Sequence, residues 1–373
     1  MNKKLNILLY IETSGPGGAE TVLINIAKNL DRTKYNPVVV LHKSRWLHEQ
    51  LQKLEIETII LPCQRSWDIG FLFRFIKLCR RKKIDVIHAH LFGASLYATL
   101  ATIFLRIPVV ATFHNEMFLP GRAERYLGLK NFLIRKLASK IVLVADYMKD
   151  EYLAIGKYPP GKMLTIYNGL SYDESSGEDL DRIRSELKIN SDTPVIGHVA
   201  NFRPPKGHLY LIEAARQVCG IFPQARFLLV GEQGDGTILS EVKNKITEYG
   251  LDNNVKLLGF RSDVSLLLRV MDIFVLSSIS EGHPLSVVEA MMAARPVVAT
   301  DVGGLAEIID NGKTGYLVEP KNPNALAEKL LALLQDRSKA EQIGARGREI
   351  ANERFSMKSM MQSYEHLYDQ LAG

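Results

Sequence analysis

Short apolar runs, many of them β-branched, alternate along the whole chain with longer stretches of helical periodicity. Continuous apolar runs are typical of strands buried on both faces of a parallel sheet, which helices cover. The first half predicts strands at 5–11, 37–41, 58–61, 85–88, 109–113, 141–144 and 163–167. The second half restarts the pattern with strands at 195–199, 226–230, 255–258, 273–276, 297–300 and 315–318. We therefore expect an α/β fold of two Rossmann-like domains.

The domain boundary is predicted at the turn dipeptide Asn168-Gly169, which precedes the acidic segment 171–181. The predicted domains are 1–169 and 170–356. The final helical stretch, 357–373, either closes the second domain or packs back onto the first. Because parallel sheets bind ligands at the carboxyl ends of their strands, two such sheets facing each other would hold a ligand in the cleft between them.

The composition, 46% apolar and 24% charged, is that of a globular protein. Cys63, Cys79 and Cys219 are too far apart for a zinc or redox motif, which favours a reducing compartment. The apolar run 5–11 lacks a cleavage site for a signal peptide, and the stretch 93–105 is too short to span a bilayer. We expect a cytoplasmic protein.

The net charge of +6 conceals an asymmetry between the two halves. Residues 1–170 contain 25 Lys/Arg and 13 Asp/Glu, whereas the remainder contains 22 and 28. Basic residues concentrate in 74–83 and in 122–140, where they interleave with apolar residues. One interpretation is peripheral binding to the anionic inner face of the cell membrane. The other is core-packed helices with solvated basic faces. Nucleic acid is disfavoured, because no base-reading module accompanies the charge.

Two carboxylates, Glu281 and Glu289, flank a turn after the strand predicted at 273–276. A helix is predicted at 285–294, with Pro284 in its first turn. Its first free amides, from Leu285 and Ser286, would face the cleft and suit a phosphate group. An ordinary strand–helix unit with solvated carboxylates is the alternative.

Two cations, Arg203 and Lys206, lie between the strand 195–199 and a helix predicted to begin near Gly207. Cations ahead of a helix N-terminus suit a diphosphate group. Without further context, a solvated basic turn is the favoured interpretation.

The first predicted strand is followed by Gly-Pro-Gly-Gly-Ala-Glu at 15–20. Glycines there let the backbone approach a ligand closely. The full Gly-x-Gly-x-x-Gly spacing and the later acidic residue of a nicotinamide site are both missing, so that cofactor is disfavoured.

Histidines lie at two predicted strand ends, His88 and His90 on one strand and His114 on the next. Strand alternation puts His88 and His90 on the same face, but no third ligand accompanies them, so we expect no metal site. Such histidines are commonly structural. The pair Asp179 and Asp181 falls in a stretch predicted to be a polar linker and is interpreted as surface charge.

The stretch Glu-Gly-His-Pro-Leu-Ser-Val-Val-Glu-Ala-Met (281–291), followed by Pro-Val-Val-Ala-Thr-Asp-Val-Gly-Gly (296–304), resembles the signature of family 4 retaining glycosyltransferases of the GT-B fold, the glycosyl transferases group 1. The resemblance implies that Glu281 contacts the donor sugar near its reacting carbon. It also implies that Glu289 accepts hydrogen bonds from the ribose of the nucleotide.

The same resemblance implies that Lys206 binds the diphosphate. The family's usual Arg position is occupied here by Asn201, and Arg203 is the expected substitute. His114 is expected to contact the donor sugar. The expected catalytic set is thus Glu281, His114, Lys206 and Arg203. The other expected donor contacts are Gly17, Gly18, Asn201, Gly282, His283, Leu285, Ser286, Glu289, Phe260 and Arg261.

The implied reaction is transfer of a sugar from a nucleotide diphosphate donor, commonly a UDP-sugar, with retention of anomeric configuration. The implied acceptor is a hydroxyl group of a glycan or lipid-linked molecule bound by the first domain, and no metal or cofactor is expected. Two other functions stay open: a sugar-nucleotide epimerase of the same fold, which would release no nucleoside diphosphate, and a non-catalytic module that binds sugar nucleotide or membrane.

Overall fold

The structure is a computed structural model that describes residues 3–64, 67–114, 124–154, 158–172, 177–234 and 236–373. Arg122 of the second basic segment lies outside these residues. The chain divides into two compact units, the first formed by 1–169 with 357–373 and the second by 170–356. No helix among the described residues is long and apolar enough to cross a bilayer.

The first unit is built around one parallel sheet. Its strands are β1 (Leu5–Ile11), β2 (Tyr35–Leu41), β3 (Thr58–Ile60), β4 (Val86–His90), β5 (Val109–Phe113), β6 (Lys140–Leu143) and β7 (Met163–Thr165). Its first helices are α1 (Gly18–Asn29), α2 (Trp46–Lys53), α3 (Ile69–Arg81), α4 (Phe92–Ala101), α5 (Glu124–Leu137) and α6 (Asp146–Ala154). The strand order is β3-β2-β1-β4-β5-β6-β7.

The second unit repeats this architecture with six strands. They are β8 (Val195–Val199), β9 (Arg226–Val230), β10 (Val255–Gly259), β11 (Ile273–Leu276), β12 (Val297–Thr300) and β13 (Tyr316–Val318), in the order β10-β9-β8-β11-β12-β13. Its helices are α7 (Gly177–Leu187), α8 (His208–Ile221), α9 (Thr237–Glu248), α10 (Val264–Val270), α11 (Leu285–Met292), α12 (Leu305–Ile308), α13 (Pro323–Gln335) and α14 (Arg337–Arg354). The predicted α/β fold with two parallel sheets is confirmed.

The last helix, α15 (Met357–Ala372), belongs to the first unit. The Tyr35 hydroxyl donates to Asp369 Oδ1 over 2.7 Å, and Glu365 accepts from the Asp31 amide over 2.9 Å. Tyr368 is fully buried beside them. The end of the chain is therefore part of the core built by the first 169 residues.

All the strands are parallel, but the direction in which successive strands are added to the sheet changes once in each unit. The change occurs between the neighbouring strands β1 and β4 in the first sheet and between β8 and β11 in the second. At such a switch point the connections leave to opposite faces, so the carboxyl ends of the two central strands border an open crevice. The residues that follow β1, β4, β8 and β11 are thereby placed where a Rossmann-like sheet binds ligands.

Two local predictions were wrong. The stretch that contains Asp179 and Asp181 is the helix α7 and not a linker, because Ile183 and Leu187 form a buried apolar stripe that the surrounding charges conceal in the sequence. The helix predicted at 285–294 ends at Met292, because Ala294 adopts a left-handed φ of 56°.

Candidate active site

The loop that carries Lys206 follows β8, and the loop that carries Glu281 follows β11. Because β8 and β11 are neighbours in the sheet, 75 residues of sequence separation become a direct contact. Lys206 Nζ lies 2.7 Å from both carboxylate oxygens of Glu281. The fold thus brings two predicted catalytic residues together at the switch point of the second sheet.

The Glu281 carboxylate is nearly buried, with 6% of its side chain exposed, whereas 28% of Lys206 is exposed. Ser278 adds a third hydrogen bond, donating from Oγ to Glu281 Oε1 over 2.6 Å. A desolvated carboxylate needs such compensation, because leaving it unpaired would cost several kcal/mol. These contacts fix the position of the carboxylate, while the Lys206 side chain stays partly exposed.

Two hydrogen bonds join the Lys206 loop to the end of β11. The Ser277 hydroxyl shares its one proton between the carbonyl oxygens of Lys206 and Gly207, at 3.2 and 3.1 Å, and the Ile279 amide donates to the Pro205 carbonyl over 2.7 Å. Gly207 adopts the left-handed conformation, with φ 64°. An added Cβ there would lie 1.9 Å from the Ser277 carbonyl oxygen, so only glycine permits this approach.

Helix α11 begins directly after the Glu281 turn. Pro284 is its N-cap and not part of its first turn, and no side chain caps the helix. Leu285 and Ser286 are its first residues and are partly buried. Their amides belong to the set that has no acceptor within a helix, and such amides attract anions.

Glu289 lies in the second turn of α11. Burial raises the pKa of this carboxyl to about 7. Since the ordinary value is near 4.5, the carboxyl stays protonated over a wider pH range than a solvated glutamate, and it ionises near neutrality. A group that donates hydrogen bonds to Glu289 would favour its charged form.

Other predicted donor contacts have structural partners of their own. Asn201 Oδ1 accepts from the Glu232 amide over 2.9 Å, which joins the ends of β8 and β9. The Gly282 carbonyl accepts from the Gly304 amide over 3.0 Å. The His283 ring is buried edge-on against Phe355, with centroids 5.1 Å apart.

Phe260 and Arg261 follow β10, which is separated from β8 by β9. Arg261 pairs with Asp263 over 2.6 Å and with Glu186 over 2.5 Å, and the Phe260 side chain is exposed. The strand β9 therefore lies between the strand that precedes these two residues and the strand that precedes Lys206. Arg203, in contrast, is exposed within the Lys206 loop.

In the first unit, His114 ends a stack of three buried imidazoles. His114 Nε2 lies 2.9 Å from His90 Nδ1, and the His90 and His88 rings stack at 4.2 Å. The stack forms because β4 and β5 are adjacent and in register, with His90 opposite Thr112. His88 continues it to the Tyr368 hydroxyl, 2.6 Å from Nδ1.

Burial lowers the pKa of His88 to about 3 and that of His114 to about 4, and it lowers the pKa of His90 as well. The three rings are therefore neutral near pH 7. In the unfolded chain they would bind protons near pH 6.5. Because folding lowers these pKa values, the unfolded chain binds protons more readily than the folded protein between about pH 6.5 and pH 4. The contribution of the three histidines to the free energy of unfolding is therefore present above pH 6.5 and declines as the pH falls towards 4.

The glycine loop after β1 leads into α1. Gly17 is the N-cap of the helix and Gly18 its first residue. A Cβ at Gly17 would lie 2.5 Å from a carboxylate oxygen of Glu20, which folds back over the helix start, whereas a Cβ at Gly18 would meet no atom within 4 Å. Gly18 thus leaves open space at the switch point of the first sheet.

Among the described residues, no group of three or more His, Cys, Asp or Glu side chains is arranged to hold a metal ion. Sequence reasoning missed Ser278 and Tyr368. A hydroxyl three residues before Glu281 was the available signal for Ser278. For Tyr368 the sequence carries no signal, because only the return of α15 to the first unit brings it to His88.

The two Rossmann-like units have the GT-B fold of similar solved structures. The profile of glycosyl transferases group 1 matches residues 179–350, and that of Glycosyltransferase Family 4 matches residues 16–174. The chain therefore belongs to the family 4 glycosyltransferases.

Among similar solved structures, Anabaena Alr3699/HepE in complex with UDP-glucose has a TM-score of 0.90 and 27% sequence identity, with coverage of 98% of this chain and 100% of the other. The N-acetyl-alpha-D-glucosaminyl L-malate synthase of Bacillus anthracis is 27% identical, over 81% of this chain and 79% of its own length. The UDP-Gal:alpha-D-GlcNAc-diphosphoundecaprenol alpha-1,3-galactosyltransferase of Escherichia coli is 24% identical, over 78% and 77% of the two chains.

Proposed function

We propose that this protein transfers a hexosyl group from a UDP-sugar to a hydroxyl group of a glycan or lipid-linked acceptor, with retention of the anomeric configuration and without a metal ion. The observation that carries the proposal is the buried Glu281 carboxylate held by Lys206 and Ser278 directly ahead of α11. The second unit would bind the donor and the first unit the acceptor.

The choice of donor and acceptor is supported by the similar proteins. The Anabaena structure contains UDP-glucose, and the name of the Escherichia coli enzyme states a UDP-galactose donor and a diphosphoundecaprenol-linked acceptor. Both proteins match this chain over more than three quarters of its length. The diphosphoundecaprenol-linked acceptor of the Escherichia coli enzyme supports a role in polysaccharide, glycan or glycolipid synthesis.

Charge builds up on the departing diphosphate during transfer, and stabilising it is the main electrostatic task. Lys206 has three ammonium protons, and the two Glu281 oxygens accept two of them. The third proton, the exposed Arg203 and the first amides of α11 would bind the diphosphate. Glu289 would accept hydrogen bonds from the ribose.

Glu281 would hold the donor sugar beside its reacting carbon, and the neutral His114 would contact the same sugar, as the family resemblance implies. The acceptor hydroxyl would attack from the side of the leaving group and pass its proton to the departing phosphate. No protein nucleophile takes part, so the rate depends on positioning and electrostatics.

The excess of basic residues in the first 170 residues supports a cytoplasmic location on the inner face of the cell membrane. Anionic lipid would attract this half of the chain, and a lipid-linked acceptor would be presented at the same surface.

The Glu281→Gln variant tests the reaction. We expect nucleoside diphosphate release in the presence of acceptor to fall at least about 100-fold, while nucleotide binding, measured by thermal shift, stays nearly unchanged. Glu353→Gln, an exposed change in the same unit, is the control and should behave as wild type. Turnover at the wild-type rate in Glu281→Gln would refute the proposal.

The same assay separates the alternatives. An epimerase would interconvert sugar nucleotides and release no nucleoside diphosphate with an acceptor, and a binding module would show a thermal shift without turnover. A panel of sugar nucleotides scored by thermal shift identifies the donor. Addition of a chelator should leave the transfer rate unchanged, and a loss restored by a divalent cation would contradict metal-independent transfer.

A further inference from the structure

Exposed large apolar side chains concentrate on one part of the first unit. Among the described residues nine such side chains are exposed, and seven of them are in this unit. They lie in or beside α3 (Trp67, Ile69 and Phe73), after α4 (Ile103 and Phe104) and in α5 (Leu129 and Phe132). Clustering of exposed apolar side chains marks an interaction surface, whereas scattered ones do not.

The chain topology places these segments on one face of the sheet. Because β-α-β crossovers are right-handed, α1 and α2 cover one face of the sheet. After β3 the strands are added in the opposite direction along the sheet, so α3, α4 and α5 cover the other face. Helix α4 packs against both α3 and α5. We name this surface the α3–α5 face.

Direct contacts connect its segments. The Phe73 ring on α3 lies 6.3 Å from the Phe104 ring after α4, and Arg80 donates to the Phe104 carbonyl over 3.3 Å. Lys130 on α5 lies 5.6 Å from the ring centre of Trp67, which precedes α3. The apolar groups are therefore parts of one surface.

Cations accompany the apolar side chains. Arg135 and Lys136 lie 5.2 and 5.7 Å from the centre of the Phe132 ring. On α3, the exposed stripe begins with Ile69 and Phe73, which are 68% and 59% exposed, and continues with Lys77. Arg80 and Arg81 complete the exposed basic end of this helix. The Trp67 and Phe132 rings thus have a positive charge close by, and Lys77 lies one helical turn after Phe73.

The combination of exposed aromatic rings and cations indicates which kind of partner binds the α3–α5 face. Surfaces that bind another protein copy are depleted of lysine at their centre. A solvated basic face would lack exposed aromatic rings. Apolar rings that enter the acyl boundary, surrounded by Lys and Arg that meet anionic headgroups, are the features of a helix that lies on a membrane.

We propose that the α3–α5 face binds an anionic lipid bilayer, with Phe73, Phe104 and Phe132 inserted into the headgroup region and the neighbouring cations bound to lipid phosphates. This inference extends the membrane location proposed above. It does not depend on the sugar-transfer reaction, because vesicle binding is measured without donor or acceptor.

The test is co-sedimentation of the full chain with vesicles of phosphatidylglycerol and phosphatidylcholine, compared with vesicles of phosphatidylcholine alone. We expect binding only to the anionic vesicles, with a decrease when the salt concentration is raised. Phe73→Ser combined with Phe104→Ser should weaken binding at least about 10-fold. Lys77→Gln combined with Arg81→Gln should weaken it by about fivefold for each cation.

Ile221→Ser combined with Lys243→Gln, an exposed apolar and basic pair of the second unit, is the matched control and should bind as wild type. Circular dichroism confirms that each variant is folded. Absent binding, equal binding to neutral vesicles, or unchanged binding in the Phe73/Phe104 variant would overturn the proposal. A concentration-dependent dimer that this variant abolishes would assign the face to a second copy of the chain instead.

Discussion

The Gly207→Ala substitution tests the physical basis of the Lys206–Glu281 contact. Gly207 ends the Lys206 loop in the left-handed conformation, and its missing side chain lets the loop pack against the end of β11. The new methyl group would lie 1.9 Å from the Ser277 carbonyl oxygen, whereas ordinary contacts begin at 3.4 Å, so the two segments must separate by about 1.5 Å.

The expected loss of stability has two parts. A left-handed conformation costs a residue with a Cβ about 1–2 kcal/mol. The separation strains the two hydrogen bonds that join the segments, from the Ser277 hydroxyl and the Ile279 amide, which are worth about 1 kcal/mol each. We therefore expect the free energy of unfolding to fall by about 3–4 kcal/mol. Because the same separation draws Lys206 away from Glu281, transfer activity should fall as well.

The control is Gly250→Ala. Gly250 has a φ of 65°, close to the 64° of Gly207, but an added Cβ there would meet no atom within 4 Å. Only the conformational cost of about 1–2 kcal/mol then applies. Urea unfolding of both variants, followed by circular dichroism and intrinsic fluorescence, measures the difference. Equal losses of stability in the two variants would refute the close-approach argument.

Three further predictions concern single side chains. Because burial raises the pKa of Glu289 to about 7, donor affinity measured by calorimetry should rise about tenfold from pH 6 to pH 8 and stay constant in Glu289→Gln. Ser278→Ala removes the 2.6 Å hydrogen bond to Glu281 and should lower kcat about 10-fold while donor affinity stays within about twofold. Tyr368→Phe removes the hydroxyl from buried His88 and should cost about 1–2 kcal/mol in urea unfolding.

Each of these predictions has an outcome that contradicts it. The same pH slope in wild type and Glu289→Gln would exclude ionisation of this carboxyl as its source. A loss of donor affinity with an unchanged kcat in Ser278→Ala would assign the serine to binding alone. Tyr152→Phe is the control for Tyr368, because no described residue accepts from its buried hydroxyl; equal losses in these two variants would remove the hydrogen bond to His88 as the cause.

Much of the fold could be predicted from the sequence, because parallel strands buried on both faces leave continuous apolar runs. The predicted bounds of β1, β5, β8 and β11 are those observed. Helix α7 was missed because its exposed side is so rich in charge that the two buried positions, Ile183 and Leu187, do not stand out. Whole strands are therefore easier to predict than helices in polar segments.

The site could be predicted only in part, for a related reason. The motif around Glu281 and the cation at Lys206 are visible in the sequence, but the residues that position them are not. Ser278 contacts Glu281 because the chain turns back after β11. Arg261 follows a strand end, and its guanidinium also pairs with Glu186 of α7, which is 75 residues away. A partner at that separation cannot be recognised from the residues around Arg261.

By itself the sequence determined most of the strands and helices, the family and the charged residues that follow the strands, because apolar periodicity and short motifs are local properties. Only the tertiary structure decided which strand ends meet. The strand order puts β8 beside β11 and so joins Lys206 to Glu281. The return of α15 puts Tyr368 beside His88. Such contacts depend on the order of strands and on packing between segments that are distant in sequence. Neither can be predicted from the residues next to Lys206, Glu281, Tyr368 or His88.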